Sequence, residues 1–273
     1  MQPINSLAER FHSLHDPKHP LALSNAWDVA SAIIAEQAGA TAVATTSAGI
    51  AWSLGAQDGD HLDRDQAVAA IARIAAAVRV PVTADIEGGF AEAEGGIAQS
   101  IAMVLDAGAV GVNIEDGSLA AEEFAKRIAA ARDAADRAGV NLFINARTDV
   151  FLRGEGTEEQ QTGEVLTRAA SYLAAGANGI FVPGARSATA IAALVDGVPA
   201  PVNVMVGAGA LPVHELRDLG VARVSLGSDV AQAAYAVVQR AATELLTVGT
   251  YDALAGGFAY GTLNELLAPK PRA

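Results

Sequence analysis

The 273-residue chain carries 18 Lys and Arg against 31 Asp and Glu, a formal net charge of −13. Hydrophobic residues make up 51% of it but aromatics only 5%, so the apolar content is mostly Ala, Val, Leu and Ile, and a disordered chain is excluded. The acidity argues against nucleic acid as a partner, and the absence of cysteine removes disulfides, thiolate metal sites and a Cys nucleophile.

Residues 1–20 contain Glu9, Arg10, His12 and Asp16 with no long apolar run, which fits a helix over about 4–15 outside the repeating units and neither a secretion signal nor an anchor. No stretch of about 18 residues is apolar enough to cross a bilayer, so no membrane partner and a cytoplasmic location are expected. From there two patterns alternate. Short β-branched, apolar runs occur at 21–24, 41–47, 81–87, 111–116, 141–148, 179–184, 201–206 and 223–228. Ala-rich helical stretches follow them near 28–38, 65–78, 92–107, 122–138, 159–175, 187–196, 212–219 and 229–247. Several of these helices end at Gly, as at Gly39, Gly108, Gly139 and Gly176, where a left-handed C-terminal cap is favoured. Eight such units predict a (β/α)8 barrel, a fold that takes about 250 residues, here spanning 21–247 within a single domain of 1–273. An open doubly wound sheet is the alternative, but Leu23-Ser24-Asn25-Ala26-Trp27 after the first run lacks its Gly-rich fingerprint. The tail at 250–268 carries Leu254, Phe258, Tyr260, Leu263, Leu266 and Leu267, so it is expected to pack on its own barrel or on a neighbouring subunit.

A barrel of this kind places its chemistry at the C-terminal strand ends. The third run ends Asp85-Ile86-Glu87, with the two acids on one side if the strand continues, and the fourth ends Glu115-Asp116. Asp58 lies in the loop after the second run. Asp58, Asp85, Glu87 and Glu115 therefore converge on one rim, where a hard divalent cation with oxygen ligands and water is the simplest compensation. Mg²⁺ is the expected ion, with Mn²⁺ as its substitute. A lone acid at a strand end is more often a helix cap, and Asp116 and Asp149 are expected to be caps. Arg147 at the end of the fifth run suits bidentate binding of a substrate carboxylate, or an ion pair with Glu115 or Asp149, or both. Thr46-Ser47-Ala48 form either an anion-cradling turn or an ordinary one. Asn203 on the seventh run is a candidate for the far end of a ligand, or a structural residue. His12, His15, His19 and His214 are expected to be surface or capping residues, with His61, near Asp58, the one possible exception.

Taken together, Thr46-Ser47-Ala48, Leu54-Gly55-Ala56-Gln57-Asp58, Ala84-Asp85-Ile86-Glu87-Gly88-Gly89-Phe90, Asn113-Ile114-Glu115-Asp116, Ala146-Arg147-Thr148-Asp149 and Pro201-Val202-Asn203-Val204 resemble the isocitrate lyase/phosphoenolpyruvate mutase superfamily over about 21–246. The resemblance implies a barrel, usually a homotetramer in which a C-terminal helix is exchanged between subunits. It implies Mg²⁺ held directly by Asp85, with Asp58, Glu87 and Glu115 acting through water. It places substrate on Thr46, Ser47, Ala48 and Arg147; Asp85 and Asn203 are further candidate substrate contacts, and Arg147, Asp58 and Glu115 are the candidate catalytic residues. The implied activity is a carbon–carbon bond lyase or decarboxylase that works on a small 2-oxo or 2-hydroxy di- or tricarboxylic acid through an enolate. A phosphonopyruvate-type hydrolase and a non-catalytic 2-oxo acid binder are the alternatives. The chain departs from the superfamily pattern in the loop after the fourth run, Gly117-Ser118-Leu119-Ala120-Ala121-Glu122, which has none of the Lys, Cys or His found there in isocitrate and methylisocitrate lyases. Glu87 also stands where Asp is commoner.

Overall fold

The computed structural model describes residues 4–93 and 95–268. A parallel barrel forms from β1 (Leu21–Leu23), β2 (Asn25–Ala26), β3 (Val43–Thr45), β4 (Val82–Asp85), β5 (Gly111–Glu115), β6 (Phe143–Arg147), β7 (Gly179–Val182), β8 (Val202–Met205) and β9 (Arg223–Ser225). β1 pairs with β9 and β2 with β3, and every other strand pairs with its sequence neighbour. β1 and β2 are thus two segments of one barrel strand, broken at Ser24, and the ring closes through them. Asn25 seals this seam: its Nδ2 donates to the Thr45 carbonyl at 3.0 Å, and its Oδ1 accepts from the Leu226 and Gly227 amides at 3.1 and 2.9 Å.

The helices that cover the strands are α1 (Ile4–Ser13), α2 (Val29–Gln37), α3 (Ser47–Ser53), α4 (Arg64–Ala77), α5 (Gly96–Asp106), α6 (Ala121–Arg137), α7 (Val150–Arg153), α8 (Glu158–Ala174), α9 (Ala188–Gly197), α10 (Val213–Asp218), α11 (Asp229–Thr247) and α12 (Tyr260–Leu267). Local chemistry starts and stops them. Asp28 and Ser31 form a reciprocal capping box at α2, and Thr157 and Gln160 do the same at α8. Gly39, Gly108 and Gly176 take φ values of 100°, 94° and 106°, the left-handed geometry expected of helix ends that turn back into strands.

Two helices lie where strand or loop was expected. The run at 41–47 leaves strand after Thr45, because Thr46 caps a new helix through its side chain and Ser47 begins α3. α7 forms immediately after β6. The run at 81–87 is also shorter than expected, since β4 ends at Asp85.

The N-terminal mouth is plugged by α1. Phe11, fully buried, meets the Phe143 ring edge-on at 5.6 Å, and His15 stacks on Phe143 at 3.9 Å. Gly111 makes room for this plug: a Cβ there would lie 2.6 Å from the Phe11 ring and 2.8 Å from Thr83 Oγ1. His15 is therefore not the surface residue expected. Burial, aided by the nearby Arg223 charge, lowers its pKa to about 3, so the ring is neutral.

At the other end of the chain, α11 buries only Ala231 and leaves Leu246 exposed, and the segment beyond it leaves Val248, Tyr251, Phe258 and Tyr260 exposed. α12 lies against α2. Among the described residues, no helix is long and apolar enough to cross a membrane.

Candidate active site

The C-terminal ends of β4, β5 and β6 stand side by side, with Asp85 opposite Asn113 and Glu115 opposite Arg147 in the ladder. This register brings Asp85, Glu115 and Arg147 to one rim. Asp85 is held from the side by α3: its Oδ2 accepts from the Ser47 hydroxyl at 3.0 Å and from the Ser47 amide at 3.3 Å. Its own amide donates to Thr45 Oγ1 at 2.9 Å. Thr46 caps α3 at Gly49, and Ala48 is buried in the first turn. The expected turn at Thr46–Ala48 is thus the start of a short helix that faces Asp85.

Glu87 reaches the site by a different route from the one that strand alternation suggests. It lies beyond β4 with φ 51°, a left-handed conformation unusual for a side chain larger than Gly. It is buried, and it accepts a hydrogen bond from the amide of Asp60, itself at φ 61°. Its carbonyl takes the Glu115 amide at 2.9 Å, which ties the β4 loop to β5. Two or more such residues in neighbouring loops mark a place where the surrounding packing holds strain, as functional sites often do.

Arg147 is gripped on two sides. Its Nη1 pairs with Glu115 Oε2, while Nε and Nη2 reach the two oxygens of Asp149 at 2.7 and 3.1 Å. Asp149 is held in turn by Asp116, whose Oδ1 accepts the Asp149 amide at 2.9 Å. Asp116 is buried and also accepts from Arg168 Nη1 at 2.9 Å and from the Tyr172 hydroxyl at 2.7 Å. Asp116 is not the helix cap expected, since α6 is capped at Ala120 with no side-chain bond; Asp149 does stand at the N-cap of α7, but its carboxylate makes no capping bond and goes to Arg147. The three-residue relay Asp116, Asp149, Arg147 fixes the guanidinium from behind.

The site's electrostatics follow from burial. Desolvation raises the Asp85 carboxyl against the pull of Arg147 and Ser47, and Asp58 adds to the rise. Glu87 goes up to about 7, first through burial and then through the charges of Asp60, Asp58 and Asp85, although the Asp60 amide opposes this. Glu115 goes up to about 8 for the same first reason: burial prevails against Arg147, and the charges of Asp85, Asp149 and Glu87 add to the rise. Burial works against the Arg147 charge, but Glu115, Asp149 and Asp85 more than offset it and raise its pKa. The rim thus holds more negative charge than its cation neutralises.

Asp58 sits in the exposed loop before α4, and its charge is felt by Asp60, Asp85 and Glu87. Among the described residues, no three of the acids converge as a ready set of direct ligands. The donor set is nonetheless all oxygen, acidic and under-compensated, which suits an ion that keeps most of its water and takes one or two carboxylates directly. On that chemistry the residues fit a divalent cation.

Asn203 does not reach this rim. It is 1% exposed and sits inside the barrel, where its Oδ1 accepts from Asn145 Nδ2 at 3.1 Å and its Nδ2 lies 3.2 Å from Ser225 Oγ. That favours its structural reading. Asp60, Arg168, Tyr172 and Arg223 were not anticipated from sequence. Asp60 had a readable signal, two residues from Asp58 in the same loop; the others sit mid-helix or at a strand start, where only packing reveals a polar network. Two cavities of about 550 Å³ each lie at the opposite, N-terminal face, near Lys18 and Arg217, away from the rim acids.

Residues 11–246 match the family model described as phosphoenolpyruvate phosphomutase. The chain belongs to this family. Its superfamily, which also holds the isocitrate lyases, comprises lyases and mutases of small carboxylic acids and is typically Mg²⁺-dependent. An uncharacterized protein of Mycobacterium tuberculosis is 39% identical over 220 residues, covering 80% of this chain and 81% of the relative. A 2-methylisocitrate lyase of Salmonella typhimurium is 28% identical over 260 residues, covering 90% and 85%. Among solved structures, a protein of Burkholderia cenocepacia J2315 provisionally called a phosphonomutase superposes with TM-score 0.84 at 44% identity, covering 88% of this chain and all of that one. The family match spans the barrel and every rim residue described above.

Proposed function

We propose that the protein is a Mg²⁺-dependent carbon–carbon bond lyase or decarboxylase for a small 2-oxo or 2-hydroxy di- or tricarboxylic acid. The observation that carries this reading is the gathering of Asp85, Glu87 and Glu115 on one rim with proton affinities raised by burial and mutual repulsion. Asp85 is the residue to hold the cation directly, and Asp58, Glu87 and Glu115 hold its water. Such a cation, once bound, would polarise a 2-oxo group and favour the enolate. Arg147 supplies a fixed guanidinium for a substrate carboxylate, already oriented by Asp149 and Glu115. At the start of α3 the Ser47 amide and hydroxyl lie against Asp85, and Thr46, Ser47 and Ala48 are the seat assigned to substrate oxygens. The segment between β5 and α6 is short and brings no Lys, Cys or His to the rim. Decarboxylation asks least of that loop, since it needs mainly a stabilised enolate.

The exposed apolar residues of α11 and the tail support a further reading, a homotetramer in which this end of the chain packs on a neighbouring subunit.

The test is proton NMR of the purified protein with oxaloacetate, isocitrate, methylisocitrate, malate derivatives and phosphonopyruvate, each with Mg²⁺ and again with EDTA. A product that appears only with Mg²⁺ and is lost in Asp85→Ala is expected. Turnover indifferent to EDTA, or Mg²⁺ binding unchanged in Asp85→Ala, refutes the metal site. Mg²⁺-dependent line broadening without any product would leave a binding protein instead.

A further inference from the structure

Arg223 is the largest fully buried side chain in the barrel, 1% exposed at the start of β9. An arginine stays charged under ordinary conditions, and a charge inside a protein normally requires a partner. Here the partners are few. Nη2 donates to Asn113 Oδ1 at 3.1 Å, and the guanidinium lies 5.7 Å from the centre of the Phe11 ring. Nε and Nη1 have no hydrogen-bond partner among the described residues. His15, close by, is held neutral. Burial accordingly lowers the pKa of Arg223, to about 9, and the carboxylate that works against this is Asp85.

The path between the two is short. Asn113 stands beside Asp85 in the β4–β5 ladder and accepts from Arg223 with the same Oδ1 that takes Asn145 Nδ2 at 2.9 Å. Asn145 donates on to Asn203, whose strand neighbour is Arg223. Asn113, Asn145 and Asn203 therefore form a neutral layer that carries no counter-charge between the guanidinium and the rim. In a medium of low effective permittivity, an uncompensated charge acts over such a layer. It repels a cation held at Asp85 and attracts an anion held beside it.

We propose that Arg223 is a positioning residue that acts through Asn113 on the Asp85 rim as a fixed buried charge, so that a divalent cation is held firmly only together with an anionic substrate. This rests on the metal-site reading above. The physical logic is that Asp85 and its neighbours bind a bare cation against the opposing charge of Arg223. A dicarboxylate that arrives with the cation is attracted by the same charge and offsets that repulsion. The uncompensated Arg223 thereby disfavours an idle, metal-loaded site and favours the complete ternary one.

The experiment titrates Mn²⁺, followed by electron paramagnetic resonance, and oxalate at saturating Mn²⁺, followed by calorimetry. The proteins are the full chain, Arg223→Met, Arg223→Gln and Arg223→Lys, with a thermal melt of each. In Met and Gln variants, Mn²⁺ alone should bind about tenfold tighter and oxalate about tenfold weaker, the scale of one unit charge across a side-chain layer. Arg223→Lys, which keeps the charge, should restore both toward wild type. A merely structural arginine would weaken both affinities together in every variant, and that result overturns the proposal. Unchanged affinities in folded Met or Gln variants, with Mn²⁺ still bound by the full chain, refute the role of Arg223 and leave the metal site standing. A full chain that binds no Mn²⁺ refutes the metal reading and the proposal with it. If Arg223→Met does not fold, Arg223→Gln decides.

Discussion

Replacing Asp116 by Ala tests whether the rim is built from behind as the geometry indicates. Asp116 has no exposed side-chain surface and accepts three hydrogen bonds, from the Asp149 amide at 2.9 Å, Arg168 at 2.9 Å and the Tyr172 hydroxyl at 2.7 Å. Arg168 is itself 13% exposed, and Tyr172 is fully buried. Truncation leaves the Asp149 amide and the Tyr172 hydroxyl without an acceptor and takes from Arg168 its buried carboxylate, and breaking a buried charged pair from one side costs about 3–5 kcal/mol. Glu164, which also contacts Arg168 at 2.9 Å, moderates this, so about 4 kcal/mol is expected. For a chain of 273 residues that is a fall in Tm of roughly 7 °C. Urea unfolding followed by circular dichroism reads it, and Asp116→Asn, which keeps one acceptor oxygen but loses the charge and sets an NH2 donor against a donor, should be destabilised comparably. Because Asp149 holds Arg147, the Ala variant should also bind oxalate more weakly than its stability loss alone explains. A change below about 1 kcal/mol in the Ala variant would show that the network does not carry the load assigned to it.

Three further outcomes follow from other parts of the molecule. Gly111→Ala puts a methyl group 2.6 Å from the Phe11 ring, and it should destabilise the protein by about 2 kcal/mol in denaturant titration; a neutral change would mean the α1 plug is loosely seated. His15 is neutral in the fold and ordinary in the unfolded chain, so its contribution is fully present above pH 6.5 and is lost as pH falls toward 3. Between pH 6.5 and 4.5 the wild type should lose about 2 kcal/mol more than His15→Phe, and parallel stability–pH curves for the two would contradict this. Leu246, 83% exposed on α11, is expected at a subunit contact, so Leu246→Glu should lower the mass seen by light scattering on a sizing column without unfolding the barrel; an unchanged mass would place the contact elsewhere.

The eight-fold alternation was legible because it is local. Ala-rich helices and β-branched strands differ in period, and Gly at 39, 108 and 176 stops the helices where it must. The rim could be read as well, because strands of a parallel barrel deliver their C-terminal ends to one face, and Asp85, Glu115 and Arg147 stand there. The parts that could not be read depend on partners far away in the chain. Glu87 left the strand because its loop turns through a left-handed backbone and meets Asp60, 27 residues away. Asp116 and Asp149 looked like caps, since a lone acid before a helix is usually one. Only the arrival of Arg168 and Tyr172 from α8 made Asp116 the anchor of the relay.

Sequence by itself thus determined the barrel and which strand ends carry acid, because period and strand direction are properties of short stretches. Tertiary structure decided which of those acids face each other, which are tied down, and that a buried Arg223 lies beneath Asn113. Burial and charge compensation depend on residues far apart in the chain, as Arg223 and Asn113 are at 110 positions, and no local pattern encodes them.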